Sequence, residues 1–259
     1  MFPILHLGPL AIQAPGFILL VGLWLGMSLA EKHSLQFGVK KEHISSIVLA
    51  AAFGGLLGAR LVYAAEHPDL YLTHPLSLLS LDNATLSVWG GAGGALLGAL
   101  IYGQRKSLPW AAMLDALSPL LAVMGVALPL ANLASGNGYG APTNLPWGIE
   151  LWGATRHPSQ VYEIIAAAFI LMDTWPSYGI EPPRPAGRTF WRFLAWTAGA
   201  RLFLEGFRGD STLWPGGIRA EQVLAWGVLA LSLWVLGKLR ETEAAKRESA
   251  PIASRERQT

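Results

Sequence analysis

Seven apolar stretches separated by polar links occupy most of this chain: about Pro15–Ala30, Ile44–Ala65, Leu86–Gly103, Trp110–Ala134, Gln160–Trp175, Thr189–Phe207 and Ala220–Leu239. Most reach or approach the roughly 17–25 residues a helix needs to cross a bilayer. The fifth is shorter and is expected to borrow residues from its polar flanks. In lipid, backbone N–H and C=O groups must find partners within the protein, which leaves a chain of this pattern few choices. The stretches therefore predict an all-α polytopic membrane bundle of seven transmembrane helices. Composition agrees, with 52% hydrophobic and 14% charged residues over 259 positions and a mean hydropathy of +0.38. The first stretch has no basic residue before it and no small-residue cleavage site after it, so it is expected to be an uncleaved span.

Charge orients the bundle. The links after the first, third and fifth stretches carry Lys32, Lys40 and Lys41, then Arg105 and Lys106, then Arg184 and Arg188. The C-terminal end adds Lys238, Arg240, Lys246, Arg247, Arg255 and Arg257, so 13 of the 19 basic residues fall on one side. The positive-inside rule then places the N-terminus outside and the C-terminus in the cytoplasm. Residues 1–239 are read as one integral membrane domain and 240–259 as a charged cytoplasmic tail. Two outward links stand out. Glu66–Thr85, with Leu70, Tyr71, Leu76, Leu78 and Leu79, suits an amphipathic segment on the membrane surface. Ser135–Ser159 is rich in glycine and proline and carries Trp147 and Trp152, as interfacial segments do.

Several classes of function are set aside by what is missing. The chain has no cysteine, which excludes disulfides, thiolate metal sites and a cysteine nucleophile. Its six histidines lack ligand spacing, so no metal site is expected. The formal charge of +2 and pI near 9.0 come largely from the cytoplasmic side and imply no nucleic-acid partner. No inverted repeat of the transporter kind is visible.

Chemistry concentrates in two places. The run Arg156-His157-Pro158-Ser159-Gln160-Val161-Tyr162-Glu163 opens the fifth stretch. Pro158 suits the first position of a helix, and Ser159 and Gln160 can satisfy free backbone donors there. His157, Gln160 and Glu163 recur at three-residue spacing and share a face. In the sixth stretch Arg201, Glu205 and Arg208 lie at i, i+4 and i+7 on one helix face. Arg201 and Glu205 can pair, which leaves an excess of positive charge suited to a phosphate; a structural ion-pair network is the alternative. Arg60, among the glycines of Gly54–Tyr63, and Arg156 fall on the same outer side. The glycines around Arg60 and in Trp89–Gly94 allow close helix approach. Pro129 is expected to break or kink the fourth helix near its outer end.

Taken together these residues resemble the prolipoprotein diacylglyceryl transferases of bacterial inner membranes. The resemblance covers nearly the whole chain. It rests on Gly58-Ala59-Arg60-Leu61, the glycine-rich opening of the third stretch, Asp115 with Pro119, the Arg156–Glu163 run, and Arg201 through Arg208 with Asp210 and Gln222. It implies a multi-pass protein of the bacterial cytoplasmic (inner) membrane that needs no cofactor. The implied activity moves the diacylglyceryl group of phosphatidylglycerol to the lipobox cysteine of a prolipoprotein. The implied partners are phosphatidylglycerol, the prolipoprotein signal peptide and membrane lipids.

The resemblance also assigns roles. Glu205, Arg201 and His157 become catalytic candidates, with Glu205 ahead of His157 as proton acceptor. Arg60, Asn132, Arg156, Gln160, Tyr162, Glu163 and Arg208 become the lipid- and phosphate-binding set. The chain departs from the family at Trp89, where a histidine or tyrosine is usual, and at Pro15-Gly16, where a Tyr-Gly pair is usual. Aligned through Tyr139-Gly140, a family arginine falls on Pro129, an asparagine on Asn132 and a glutamate on Asn137. Three readings follow in order: a divergent transferase, a non-catalytic descendant that binds phospholipid or signal peptide, and a transporter.

Overall fold

The structure is a computed structural model, and it describes residues 4–7, 10–73, 86–175 and 185–248. Helices occupy each of the seven apolar stretches: α1 (Ala14–His33), α2 (Lys41–Glu66), α4 (Val88–Arg105), α5 (Trp110–Ser135), α6 (Ser159–Thr174), α7 (Arg188–Leu204) and α8 (Ala220–Glu248). A short α3 (Pro68–Thr73) follows α2. Four segments combine the length and hydropathy needed to cross a bilayer: Ala14–Phe37, Lys41–Glu66, Trp110–Ser135 and Ala220–Ala245. Large apolar side chains on several helices are open to the surroundings, among them Trp24, Leu49, Phe53, Leu96, Ile165, Met172, Leu224 and Trp234. Water would penalise such a surface and lipid would not. The chain is a multi-pass membrane protein.

Two small antiparallel hairpins, one before α1 and one between α5 and α6, are not announced by helical periodicity. In the first, β1 (Ile4–Leu7) pairs with β2 (Leu10–Gln13). In the second, β3 (Ile149–Leu151) pairs with β4 (Ala154–Arg156). Its turn, Trp152-Gly153, takes positive φ at both residues, 54° and 73°, the geometry of a two-residue hairpin. Of the link Glu66–Thr85, read as an amphipathic surface segment, the start is the short helix α3, while Leu76, Leu78 and Leu79 lie outside the described residues. Much of the expected tail also lies outside them, and α8 runs on without a break from Leu239 to Glu248.

The chain divides into two units, Ser34–Met113 on the one hand and Met1–His33 with Leu114–Thr259 on the other. Inside Ser34–Met113, α2 and α4 meet along a seam of glycines. A methyl group added at Gly94 would lie 2.8 Å from Gly58 Cα, and one added at Gly54 would lie 3.1 Å from Gly98 Cα. The two backbones are therefore in direct contact, as small residues permit in lipid. Ser87 starts α4, its hydroxyl accepting the Gly90 N–H at 3.4 Å, and its own N–H reaches the Ala59 carbonyl at 3.0 Å. Toward the other end His43 Nδ1 and the Tyr102 hydroxyl lie 3.0 Å apart.

In the larger unit, α1 packs on α5 where Gly22 meets Ala127 and Gly26 meets Leu120. A small core of Ala122, Ile170 and Phe193 joins α5, α6 and α7. Pro129 does not break α5, which runs helical through both Pro119 and Pro129. A membrane helix tolerates proline where neighbours satisfy the freed carbonyl.

Three polar groups fix α7. Gly187, at φ 93°, has no capping side chain of its own. The buried Asp115 of α5 takes that role, its Oδ2 accepting the Gly187 N–H at 2.6 Å and its Oδ1 the Phe190 N–H at 2.8 Å. A carboxylate at a helix N-terminus satisfies orphan donors and the helix dipole together. Further along, Arg192 Nε donates to Asp173 Oδ2 of α6 at 2.9 Å, and Arg188 pairs with Glu243 of α8 at 3.3 Å. Asp115 and Asp173, the acids on which a transport path would depend, are thus engaged in holding helices.

Candidate active site

The site is built where α6 begins and α7 ends. After Leu204 the chain tightens into a single 3-10 turn, Glu205–Phe207, and Glu205 is completely buried at 0% exposure. An isolated carboxylate would not stay charged there. It is compensated: Arg201 Nε lies 3.1 Å from Glu205 Oε2, and Arg208 Nε lies 3.9 Å from the same oxygen. The other oxygen accepts the Ser211 hydroxyl. The pairing of Arg201 with Glu205 thus follows from the four-residue spacing, although Glu205 stands just beyond the α-helix.

Glu163 of α6 closes the network. Its Oε1 accepts Arg201 Nη1 at 3.2 Å and Arg208 Nη1 at 3.0 Å. Arg208 then turns its remaining edge to Asp210, with Nε to Oδ1 and Nη2 to Oδ2 both at 2.9 Å. Burial works against the Arg208 charge, but Glu163, Asp210 and Glu205 outweigh it, so its guanidinium holds its proton more tightly than usual. The excess positive charge read from Arg201, Glu205 and Arg208 alone is corrected here. Glu163 and Asp210 reverse it, and neither is placed against the arginines by spacing within one helix.

The Arg156–Glu163 run is distributed over several tasks. α6 starts at Ser159, one residue later than proline at its first position requires, and Pro158 precedes it. Ser159 and Gln160 do not cap α6. Their side chains donate away from it, Ser159 Oγ to the Gly138 carbonyl at 2.7 Å and Gln160 Nε2 to the Asn137 carbonyl at 2.9 Å. They secure the loop after α5. Arg156 serves the same loop, with Nε to the Leu151 carbonyl at 3.0 Å and Nη1 to the Gly140 carbonyl at 3.3 Å. Its guanidinium lies 4.9 Å from the centre of the Tyr139 ring. The Tyr162 hydroxyl accepts Trp147 Nε1 at 2.9 Å.

His157 sits between these groups, its ring 5.3 Å from Phe207 and 6.2 Å from Tyr162. Its Nδ1 is buried and bonded to nothing among the described residues, and so is Oε1 of Gln160. Backbone bonds weld this region to the turn after α7: Ala141 N–H to the Phe207 carbonyl at 2.8 Å, Gly209 N–H to Tyr139 at 2.9 Å, and His157 N–H to Ala141 at 3.0 Å. Gly140 must be glycine, since a side chain there would run into the His157 backbone.

Asn132 lies near the end of α5, where Gly138, at φ 64°, is so close that an added methyl would sit 3.3 Å from Asn132 Nδ2. Glu205, Arg201, Arg208 and Glu163 are thereby brought together in one network, beside Arg156, His157, Gln160 and Tyr162. Arg60 belongs to the other unit, partly buried on α2, as does Trp89, which is 85% exposed at the start of α4. Two participants are new, Ser211 and Arg219. Arg219 Nη1 donates to the Arg208 carbonyl at 2.9 Å, to Ser211 Oγ at 2.7 Å and to the Glu205 carbonyl. The available signal was Pro215-Gly216-Gly217, a turn sequence that sends the chain back on itself.

Comparison with known proteins gives this network its context. A model described as prolipoprotein diacylglyceryl transferase matches residues 3–237. Among curated relatives, the phosphatidylglycerol–prolipoprotein diacylglyceryl transferase of Geobacter sulfurreducens is 28% identical over 95% of this chain and 96% of its own length. The proteins of the same name from Photobacterium profundum and Nitrosomonas europaea are 30% and 31% identical, over 89% and 79% of this chain and 91% and 76% of their own lengths. The chain belongs to the prolipoprotein diacylglyceryl transferase family.

Proposed function

We propose that this protein transfers the diacylglyceryl group of phosphatidylglycerol to the lipobox cysteine of prolipoproteins, in the bacterial inner membrane. Its seven helical stretches would then span the bilayer with the N-terminus outside and residues 240–259 in the cytoplasm. Family membership over residues 3–237 supports the reaction class. The observation that carries the assignment to a site is the network in which Arg201 and Arg208 converge on Glu163 and the fully buried Glu205.

The reaction is a displacement at carbon. The peptide thiol loses its proton and sulfur attacks the glycerol carbon bearing the phosphodiester. A C–S bond forms, the C–O bond breaks, and the electron pair leaves on the phosphate oxygen as glycerol phosphate. A cation at that oxygen stabilises the charge as it develops. Arg201 is our candidate for this role, a reading supported by its 36% exposure while its partners are held inside. A thiol of ordinary pKa near 8.5 is mostly protonated at neutral pH, so a proton acceptor is needed. Trp89 offers none. Glu205 is our first candidate, with one oxygen on Arg201 and the other on Ser211, and His157, with its unbonded Nδ1, is the second.

Purified protein given phosphatidylglycerol and a lipobox peptide should yield a peptide heavier by one diacylglyceryl group. Glu205→Gln should abolish the adduct and His157→Asn reduce it less, since general-base assistance is typically worth about 10²–10⁴-fold. A larger loss at His157 would reverse the two roles. The replacement of a usual histidine or tyrosine by Trp89 favours a second reading, a descendant that binds the lipid without transferring it. That reading holds if phosphatidylglycerol binds and no adduct forms.

A further inference from the structure

A site that releases a phosphate needs cations around it, and the network of Arg201 and Arg208 does not supply a surplus. These two arginines face three carboxylates, Glu163, Glu205 and Asp210. Two positive and three negative charges sum to −1, which repels an anion. Arg208 is also committed, since Nε, Nη1 and Nη2 each donate to Asp210 or Glu163.

A third guanidinium arrives from a segment with no helical period. Past Arg208 the chain runs out, turns at Gly216 and Gly217 with φ of 88° and 77°, and comes back. Leu213 and Arg219 pair as an antiparallel bridge. The Trp214 N–H donates to Ile218 at 2.8 Å and the Ala220 N–H to Thr212 at 3.0 Å. The return sets Arg219 against the end of α7, where Nη1 meets the carbonyls of Glu205 and Arg208 and the hydroxyl of Ser211. One nitrogen is thus fully used to anchor the side chain. Nε and Nη2, the edge that grips a phosphate through two parallel bonds, have no partner among the described residues. Arg219 also brings the sum of charges to zero before any lipid binds.

We propose that Arg219 is a phosphate-binding residue of this site, anchored through Nη1 and offering Nε and Nη2 to the phosphodiester of an anionic phospholipid. The identity of that lipid as phosphatidylglycerol rests on the transferase reading above. The bland alternative is that Arg219 only staples the returning loop to α7. The two differ in what they do to lipid selectivity.

The test uses the full chain purified in detergent, with Arg219→Ala and Arg219→Lys, and compares binding of phosphatidylglycerol with that of phosphatidylcholine. Loss of a charge-assisted pair should weaken phosphatidylglycerol binding by about 10–100-fold in Arg219→Ala. The KM for phosphatidylglycerol should rise with it, more than kcat falls, and phosphatidylcholine binding should stay as it was. Arg219→Lys keeps a charge and a donor for the carbonyls but lacks the fork. It should melt like the wild type and recover only part of the affinity, and it decides the matter if Arg219→Ala does not fold. Wild-type affinity in Arg219→Lys, or equal losses for both lipids in Arg219→Ala, would overturn the proposal. If the wild type forms no adduct while Arg219→Ala still loses phosphatidylglycerol binding, the transferase reading falls and this site stands. If adduct forms and KM is unmoved in both variants, the reverse is true.

Discussion

The glycine seam between α2 and α4 makes a prediction that changes sign from one residue to the next. A methyl group at Gly94 would lie 2.8 Å from Gly58 Cα and 3.0 Å from the Gly54 carbonyl carbon, and closer still to that carbonyl's oxygen. All three are backbone atoms, so no rotamer change can make room. Carbon atoms settle near 3.5–4.0 Å, so the helices must part by about 1 Å, which forfeits a quarter to a half of each contact along the seam. Overpacking of this kind costs about 1–3 kcal/mol, and alanine's better helix propensity returns only about 0.5–1 kcal/mol. Gly94→Ala should therefore destabilise the protein by about 0.5–2 kcal/mol. At Gly93 an added methyl meets nothing within 4 Å. Only the propensity gain operates there, and Gly93→Ala should stabilise by about 0.5–1 kcal/mol. For a chain of this size each kcal/mol moves the midpoint about 2–4 °C, so thermal melts in one detergent at one lipid ratio resolve the pair. A Gly94→Ala protein that melts at or above Gly93→Ala would refute the close-contact argument.

Two further predictions address the ends of helices and the sidedness of the bundle. Asp115→Ala leaves the Gly187 and Phe190 N–H groups at the start of α7 without their acceptors. It should cost about 0.5–2 kcal/mol in a thermal melt, and Asp115→Asn should cost less because one oxygen still accepts. A reporter fused after Lys238 should be cytoplasmic and one inserted within Glu66–Thr85 external; labelling of the latter from inside alone would invert the proposed orientation.

The helices were legible because their signal is local. An apolar run records the presence of a helix wherever its neighbours lie, so each of the seven stretches is met by a helix with ends displaced by a few residues, four of them in segments long and apolar enough to cross a bilayer. The pairing of Arg201 with Glu205 was legible for the same reason, since four residues make one turn. What was not legible depends on chain returning from a distance. Glu163 and Arg201 are 38 residues apart, and Asp115 caps a helix whose start is 72 residues further on. No spacing rule relates them. Pro129 shows a different limit: the sequence records the missing N–H but not the surroundings that let α5 continue. The hairpins and Arg219 escaped because a tight turn is marked by two residues, too few to say which side chain the returning strand delivers.

The three anchors along α7 have a mechanical consequence. Its first turn is held by Asp115 of α5, Arg192 one turn later by Asp173 of α6, and Arg201 near its end by Glu163. With Arg188 of the first turn also paired to Glu243 of α8, a rod fastened at three stations to three neighbours can neither slide along its axis nor roll about it without releasing one of these contacts. Whatever motion the larger unit makes while those pairs hold is therefore taken up by other elements, and α7 serves it as a fixed post.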